Sequence, residues 1–172
     1  PFFINPAGFT IHSAIHAARD DAHFVMHLHT DQGVAVAAQR EGLLPISQHA
    51  LIVINGLAYH DYEGIALNHD ERERIVADLG EKKLMLLRNH GTLAVGETVA
   101  QCFLRLYFLE RACEAQVKML SAGRDGLYNP PQGTPEKVEQ QSNGPGMSMV
   151  ADHLAWPALL RKLDRIDSSF RN

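Results

Sequence analysis

Cysteine is scarce in this 172-residue chain, which contains only Cys102 and Cys113. Two cysteines cannot form the disulfide framework of a small secreted protein, so we expect a reducing, cytoplasmic location. No apolar run approaches the ~20 residues that a membrane-spanning helix needs. Basic residues are not in excess either, because 16 Lys and Arg stand against 20 Asp and Glu. We therefore expect neither a membrane nor a nucleic acid as a partner.

The sequence also lacks the Gly-x-Ser-x-Gly elbow, the phosphate-binding P-loop and the Rossmann glycine pattern. Its composition is that of an ordinary globular domain, with 45% hydrophobic and 21% charged residues. We predict a single domain over residues 1–172, of which 124–172 form an extended C-terminal tail. Because Pro1 and the residues after it resemble the middle of an element, we expect the N-terminal part of this domain to lie upstream.

The spacing of apolar residues alternates between the helical and the strand period, which indicates an α/β domain. Strands are predicted at 22–29, 43–46, 50–54, 59–62, 84–87 and 92–95. Helices are predicted at 10–19, 31–41, 98–122 and 151–163, and between Asn68 and Gly80. Asn68 and Glu71 have the spacing of a capping box at the start of that last helix. Cys102 and Cys113 fall on the apolar stripe of helix 98–122 and are expected to be core thiols.

Ten histidines are the most unusual feature of the composition. His27 and His29 are two residues apart on a predicted strand, so both imidazoles project from one face. His90 follows strand 84–87 in an Asn-His-Gly turn and completes a three-histidine set if the two strands are neighbours. Three histidines with an open coordination position are typical of catalytic Zn²⁺. Mn²⁺, Fe²⁺, Co²⁺ or Ni²⁺ also fits such a ligand set.

Both parts of this pattern also have an ordinary structural interpretation. A His-x-His pair on a strand is more often structural or exposed than metal-binding, and Asn-His-Gly is a common turn. On the residues alone, the two interpretations are about equally supported. His12 and His16 have a metal-capable spacing but no acidic neighbour, and we predict that His12 packs near the site in the second shell. Four histidines are expected to be exposed: His23, His60, His69 and His153.

The sequence resembles the class II aldolase/adducin family from near Pro6 to about Gly123. The resemblance lies in GFTIHSAIHAARDDAHFVMHLHT, GLLPISQHALIV and LRNHGTLAVGETV with ERACEAQV, and it is closer to the bacterial-type adducin head-domain branch than to the sugar-phosphate aldolases. It implies a three-layer αβα sandwich around a largely antiparallel sheet. It also implies a homotetramer with sites between subunits, and a divalent metal, usually zinc, held by the histidines matching His27, His29 and His90.

One position departs from the aldolases of this family. Their proton-transferring glutamate falls on Gly8, four residues before His12, and glycine cannot move a proton. His49 lies near the position of a catalytic tyrosine that the adjacent subunit supplies. It is therefore a candidate catalytic residue, beside a metal-bound water or a tyrosine of a neighbouring subunit. Sugar-phosphate aldolase activity is expected to be weak or absent.

The resemblance favours a metal-dependent, aldolase-like carbon–carbon lyase. Its substrate would be a small hydroxy-carbonyl or sugar-phosphate-like molecule, which reacts through an enediolate that the metal stabilises. The first alternative is a non-catalytic, adducin-like oligomerisation module. The second is an epimerase on the same scaffold, which would use the same metal chemistry without breaking a carbon–carbon bond.

Overall fold

A computed structural model describes residues 3–142, 144 and 146–171 of the chain. The strands are β1 Phe24–Leu28, β2 Leu57–His60, β3 Leu84–Leu87 and β4 Gly91–Gly96. The helices are α1 Pro6–Ala18, α2 Asp31–Ala37, α3 Gln48–Val53, α4 Glu71–Leu79, α5 Val99–Leu120, α6 Thr134–Ser142, α7 Gly146–Met149 and α8 Trp156–Ile166. A π-helical segment, Val150–Ala155, joins α7 to α8.

The four strands form one mixed sheet in the order β1-β4-β3-β2. β4 pairs antiparallel with both β1 and β3, whereas β2 pairs parallel with β3. Every residue of β3 and β4 is buried, as expected for strands that are covered on both faces.

Helices cover the two faces of this sheet and form a separate core on each. Met26 of β1 packs into a core that also contains residues of α2, α3 and α5. The preceding residue, Val25, packs on the other face of the sheet into a second core with residues of α1 and α4. The predicted α/β class and the three-layer αβα sandwich around a largely antiparallel sheet are therefore confirmed.

Two of the predicted strands, 43–46 and 50–54, are wrong. The first segment has no regular secondary structure, and the second lies in α3 and a 3₁₀ turn at Ile54–Gly56. Ser47 begins α3 by accepting a hydrogen bond from the Ala50 amide at 3.2 Å. The apolar residues are buried because this short helix packs on α5. Periodicity alone cannot distinguish a short buried strand from a buried helix of the same length.

The prediction that His60 is exposed is also wrong, since only 3% of its surface is accessible at the end of β2. Its Nδ1 lies 2.7 Å from Asp78 Oδ2, and its Nε2 lies 3.4 Å from Glu71 Oε1. Glu71 is buried at the start of α4 and does not complete a capping box, because Asn68 Oδ1 accepts from the Asp70 amide instead. The other three histidines of that group, His23, His69 and His153, are exposed as expected.

The long helix α5 buries both cysteines, as its apolar stripe predicts. Burial raises the pKa of Cys102 to about 11 and the pKa of Cys113 to about 12. Both thiols therefore stay protonated at neutral pH and contribute packing rather than chemistry. Within the described residues, no helix combines the length and the apolar character needed to cross a membrane.

Gln116 of α5 holds the loop that follows α2. Its side chain is buried, and its Oε1 accepts a hydrogen bond from the Leu44 amide at 2.7 Å. Its Nε2 donates to the Gly42 carbonyl oxygen at 2.8 Å and to Gln39 Oε1 at 2.7 Å. One amide side chain thus satisfies two buried backbone groups of a loop that has no regular structure of its own.

We expect Gln116→Met to lower the free energy of unfolding by about 3 kcal/mol, because a buried donor and a buried acceptor lose their partners. Urea denaturation followed by circular dichroism measures this difference. Gln140→Met on exposed α6 is the matched control and should change stability by less than about 0.5 kcal/mol. Equal effects of the two substitutions would contradict the role given to Gln116.

Candidate metal centre

Three histidines meet at one edge of the described structure. His27 lies on β1, His29 follows the end of that strand, and His90 lies in the turn between β3 and β4. Their ring centroids are 4.5–4.7 Å apart in all three pairs. One nitrogen from each ring lies within 4.8 Å of the other two. Among the described residues, this is the one group of three or more His, Cys, Asp or Glu side chains that is arranged so that it could hold a metal ion.

The route by which His90 arrives differs from the one the sequence suggests. The strand before it, β3, is not a neighbour of β1, because β4 lies between them in the sheet. The short turn from β3 into β4 carries His90 back to the end of β1. Asn89 in this turn adopts a φ of 56°, a left-handed conformation that asparagine tolerates better than most residues.

A backbone hydrogen bond fixes the orientation of His27. Its Nδ1 lies 2.8 Å from the carbonyl oxygen of Thr92 on β4. A carbonyl oxygen can only accept, so Nδ1 carries the proton and the neutral ring presents its Nε2 lone pair. That lone pair points at the other two histidines, at 2.7 Å from His29 Nε2 and 3.3 Å from His90 Nε2.

These separations suit a shared cation. Two nitrogens bound to one Zn²⁺ at ~2.0–2.1 Å lie about 2.9 Å apart at a right angle and about 3.3 Å apart at the tetrahedral angle. The two observed distances lie close to these values. Lone pairs that face each other this closely need a proton or a metal ion between them, so the donor set fits a divalent metal.

Burial favours the unprotonated form of two of the three histidines, His27 and His90. The pKa of His27 is lowered to about 4, mainly by desolvation and in smaller part by the neighbouring histidines. Burial and His29 also lower the pKa of His90. Metal binding requires the neutral imidazole, and at neutral pH these two rings are already in that form.

Gly91 makes room for the cluster. A Cβ at this position would overlap the Leu28 carbonyl oxygen and would lie 3.1 Å from His29 Cδ2 and 3.2 Å from His27 Cε1. The glycine of Asn-His-Gly is therefore required by the close approach of β1, in addition to any role in the turn.

Glu110 of α5 ties two residues next to the cluster together. Its carboxylate accepts hydrogen bonds from the hydroxyl of Thr30, at 2.5 Å, and from the hydroxyl of Thr92. Thr30 directly follows His29, and Thr92 holds His27 through its carbonyl oxygen. No sequence motif indicates Glu110, although a single acidic residue on the apolar stripe of α5 is a usable signal.

The remaining predicted site residues lie in different places. His12 on α1 is half-buried and interacts electrostatically with His27, and burial and His16 lower its pKa. Gly8 lies in the first turn of the same helix. His49 on α3 packs against Phe108, with ring centroids 5.8 Å apart, in the layer on the opposite face of the sheet from α1. Tyr62, which no motif indicated, places its ring 6.2 Å from that of His90.

Comparison with known proteins gives this site a context. Residues 4–117 match the Class II Aldolase and Adducin N-terminal domain. The chain belongs to this family. It is 66% identical over 165 residues to a Caulobacter vibrioides protein that carries the name aldolase class 2 protein. The match covers 96% of this chain and 63% of that protein, so the chain spans less than two thirds of its relative.

Two further relatives mark the range of this aldolase and adducin family. Rat alpha-adducin is 46% identical over 144 residues, which are 83% of this chain and 19% of the adducin. A crystal structure of an aldolase II superfamily protein from Pseudomonas syringae superposes with a TM-score of 0.88 at 50% identity. That superposition covers 98% of this chain and 66% of the other.

We expect Gly91→Ala to lower the free energy of unfolding by about 1–3 kcal/mol, because β1 and β4 must separate to admit the methyl group. Zinc affinity should fall at least tenfold, since the rings of His27 and His29 are displaced with the strand. Isothermal titration with zinc and thermal unfolding measure the two effects. Gly126→Ala is the control, because a Cβ there meets nothing within 4 Å. Unchanged zinc affinity in a folded Gly91→Ala protein would contradict this account.

Proposed function

We propose that the chain binds one divalent metal ion through His27, His29 and His90, and that this ion is Zn²⁺. We further propose that it is the metal-binding part of an aldolase-like carbon–carbon lyase for a small hydroxy-carbonyl substrate. The convergence of three Nε2 atoms is the observation that carries the proposal, and the His27 ring is oriented through its Nδ1 by a backbone carbonyl. When bound, the metal supplies Lewis acidity to a substrate carbonyl.

The chain's own residues prepare this site before a substrate arrives. Thr92 orients His27, and Glu110 restrains Thr92 and Thr30, so two of the three ligands have supported positions. Hydrogen-bonded neighbours of this kind typically change metal affinity by 10–100-fold. His29 is exposed while His27 and His90 are half-buried, so the cluster is open to solvent on one side, where a substrate can approach.

Proton transfer is the step for which the chain provides least. Gly8 has no side chain to carry a proton, and His49 lies in the opposite layer of the same chain. A role for His49 therefore requires a site on a neighbouring subunit. We propose a homo-oligomer, with a tetramer as the expected state, in which such a contribution takes place. We also propose that residues 1–172 form one domain with 124–172 as its tail, since α6 packs on α3.

An adducin-like module is the second candidate function. Two observations favour it: the 46% identity to rat alpha-adducin and the glycine in place of an acid/base residue. Such a module would keep the sheet and its oligomer without turnover. Zinc binding without cleavage of any hydroxy-carbonyl substrate would favour the module over the lyase.

We expect His29→Ala to weaken zinc binding at least a hundredfold, because a direct ligand contributes more than the outer groups whose loss costs about 10–100-fold. His12→Ala should produce a smaller loss. Zinc content after dialysis, measured by atomic emission, gives the comparison, and the exposed His69→Ala is the control. A wild-type protein that holds no stoichiometric metal, as purified or after reconstitution, would overturn the proposed site.

We expect Gly8→Glu to raise cleavage of phosphorylated ketoses about a hundredfold above a weak wild-type activity, because one positioned acid/base contributes ~10²–10⁴-fold. The backbone at position 8 has room for a Cβ, which would meet only Asn5, at 3.9 Å. Aldehyde release from zinc-loaded protein is the assay. Gly8→Gln is the matched control, with a similar size and no proton to transfer. If wild-type turnover already approaches the ~10 s⁻¹ of ordinary enzymes, another residue transfers the proton.

A further inference from the structure

A cavity of about 320 Å³ lies at the opposite end of β3 from the histidine cluster. Lys83 and Leu84, where β3 begins, line this cavity, whereas His90 follows the end of the same strand. A strand rises about 3.3 Å per residue, so the four residues of β3 alone span roughly 10 Å between the two places. Most of the remaining wall comes from α3, α5, α6 and α7. The cavity is therefore separate from the proposed metal site.

Apolar side chains form a large part of the wall. They include Ile52 of α3, Leu104 and Phe108 of α5, and Met147 of α7. Pockets for small ligands typically occupy about 300–1,000 Å³ and combine apolar walls with a few polar groups that fix the orientation of the ligand. At ~30 Å³ for each water, this cavity has the volume of about ten waters. That size suits a small molecule with one ring or a short chain.

Arg105 of α5 also lines the cavity and has no counter-ion in the described part of the chain. It is half-buried, and its Nη1 donates to the Val95 carbonyl oxygen at 2.8 Å. Among the described residues, no Asp or Glu forms an ion pair with it. Burial is the main cause that lowers the pKa of Arg105. A guanidinium has five N–H donors, and most of them remain available to a ligand.

The charged groups near Arg105 have other partners or act on it only at longer range. The Asp152 carboxylate accepts hydrogen bonds from two side chains at the start of α5, at 2.5 and 2.8 Å. Lys83, the other cation of the wall, pairs with Asp21. Glu97 and Asp152 raise the pKa of Arg105, which burial lowers, without forming an ion pair with it. A buried cation is costly unless it is paired, so a bound anion would supply what this wall lacks.

We propose that this cavity binds a small amphipathic carboxylate, in which one anionic group is attached to an apolar ring or chain. The carboxylate pairs with Arg105, because a planar guanidinium matches its two oxygens. The apolar body lies against Leu104 and Phe108. Glu139 of α6 also lines the cavity and opposes an anion, so a single negative charge suits the site better than a phosphate dianion. The inference does not depend on the proposed function, since neither the metal nor the three histidines take part.

The first experiment compares ligands that separate charge from apolar surface. Phenylacetate carries both, phenylacetamide has the same shape without the charge, and acetate has the charge without the ring. Octanoate replaces the ring by a chain. Each is titrated into the ¹⁵N-labelled, metal-free chain, and the arginine Nε–H signals are followed by NMR. We expect phenylacetate or octanoate to shift the Arg105 signal and to bind about tenfold more tightly than phenylacetamide and acetate.

The result also assigns the apolar body. Tighter binding of phenylacetate indicates an aromatic carboxylate, and tighter binding of octanoate indicates an aliphatic one. If neither anion moves the Arg105 signal, or if phenylacetamide binds as tightly as both anions, the inference is overturned.

Substitution of the arginine tests its role directly. Arg105→Gln should remove the preference for phenylacetate over phenylacetamide and leave the affinity for phenylacetamide unchanged. Glu139→Gln should tighten phenylacetate binding, because an opposing charge is removed. Arg111→Gln is the matched control, since Arg111 lies on the same helix, is exposed and does not line the cavity. It should retain the preference.

A second variant tests the cavity without changing any charge. Ser148 of α7 lines the wall, and Ser148→Leu adds apolar bulk that competes with the ligand for space. It should weaken the binding of phenylacetate and phenylacetamide about tenfold or more. Ser168→Leu, at an exposed position outside the cavity, is the control. Circular dichroism establishes that each variant is folded. Unchanged phenylacetate affinity in a folded Ser148→Leu or Arg105→Gln protein would refute the proposed site.

Discussion

The antiparallel pairing of β1 with β4 is the constraint on which the site depends. It places the carbonyl oxygen of Thr92 opposite the ring of His27, and that single acceptor determines which nitrogen of the ring is free. The same pairing leaves space only for glycine at position 91. The turn that follows β3 brings His90 beside His27 and His29. Strand register, side-chain tautomer and ligand geometry are thus consequences of one ladder of backbone hydrogen bonds.

A polar network on the other side of the sheet supports this ladder. The Glu110 carboxylate is half-buried, and a carboxylate in that position needs hydrogen-bond partners. It finds them in the hydroxyls of Thr30 and Thr92, which belong to the segments that carry His29 and orient His27. Removal of the carboxylate would therefore loosen both segments together. The helix α5 acts in this way as a support for the cluster, although none of its residues lies in it.

The sequence was enough to find the three histidines but not the path that joins them. The i, i+2 spacing of His27 and His29 on an alternating segment directly implies a shared face. The position of His90 required a strand order, and strand order depends on long-range pairing that local periodicity does not contain. The same limit explains α3, where the five-residue apolar run 50–54 fits a helix and a strand equally well. His60 was placed outside the core because burial of an imidazole depends on Asp78 and Glu71, which the fold brings to it.

The proposed metal ligands and the position at which related aldolases would carry an acid/base residue lie on separate elements of this fold. The three histidines lie on β1, directly after it and in the turn that leads into β4, whereas Gly8 lies in the first turn of α1. A Cβ at position 8 would meet Asn5, the N-cap residue of α1, and would have none of the three histidines within 4 Å. A change at this position can therefore remove an acid/base group without moving the histidines. One scaffold can then keep its metal ligands while it loses aldolase chemistry, and this is physically compatible with a family that includes both aldolase-type proteins and adducins.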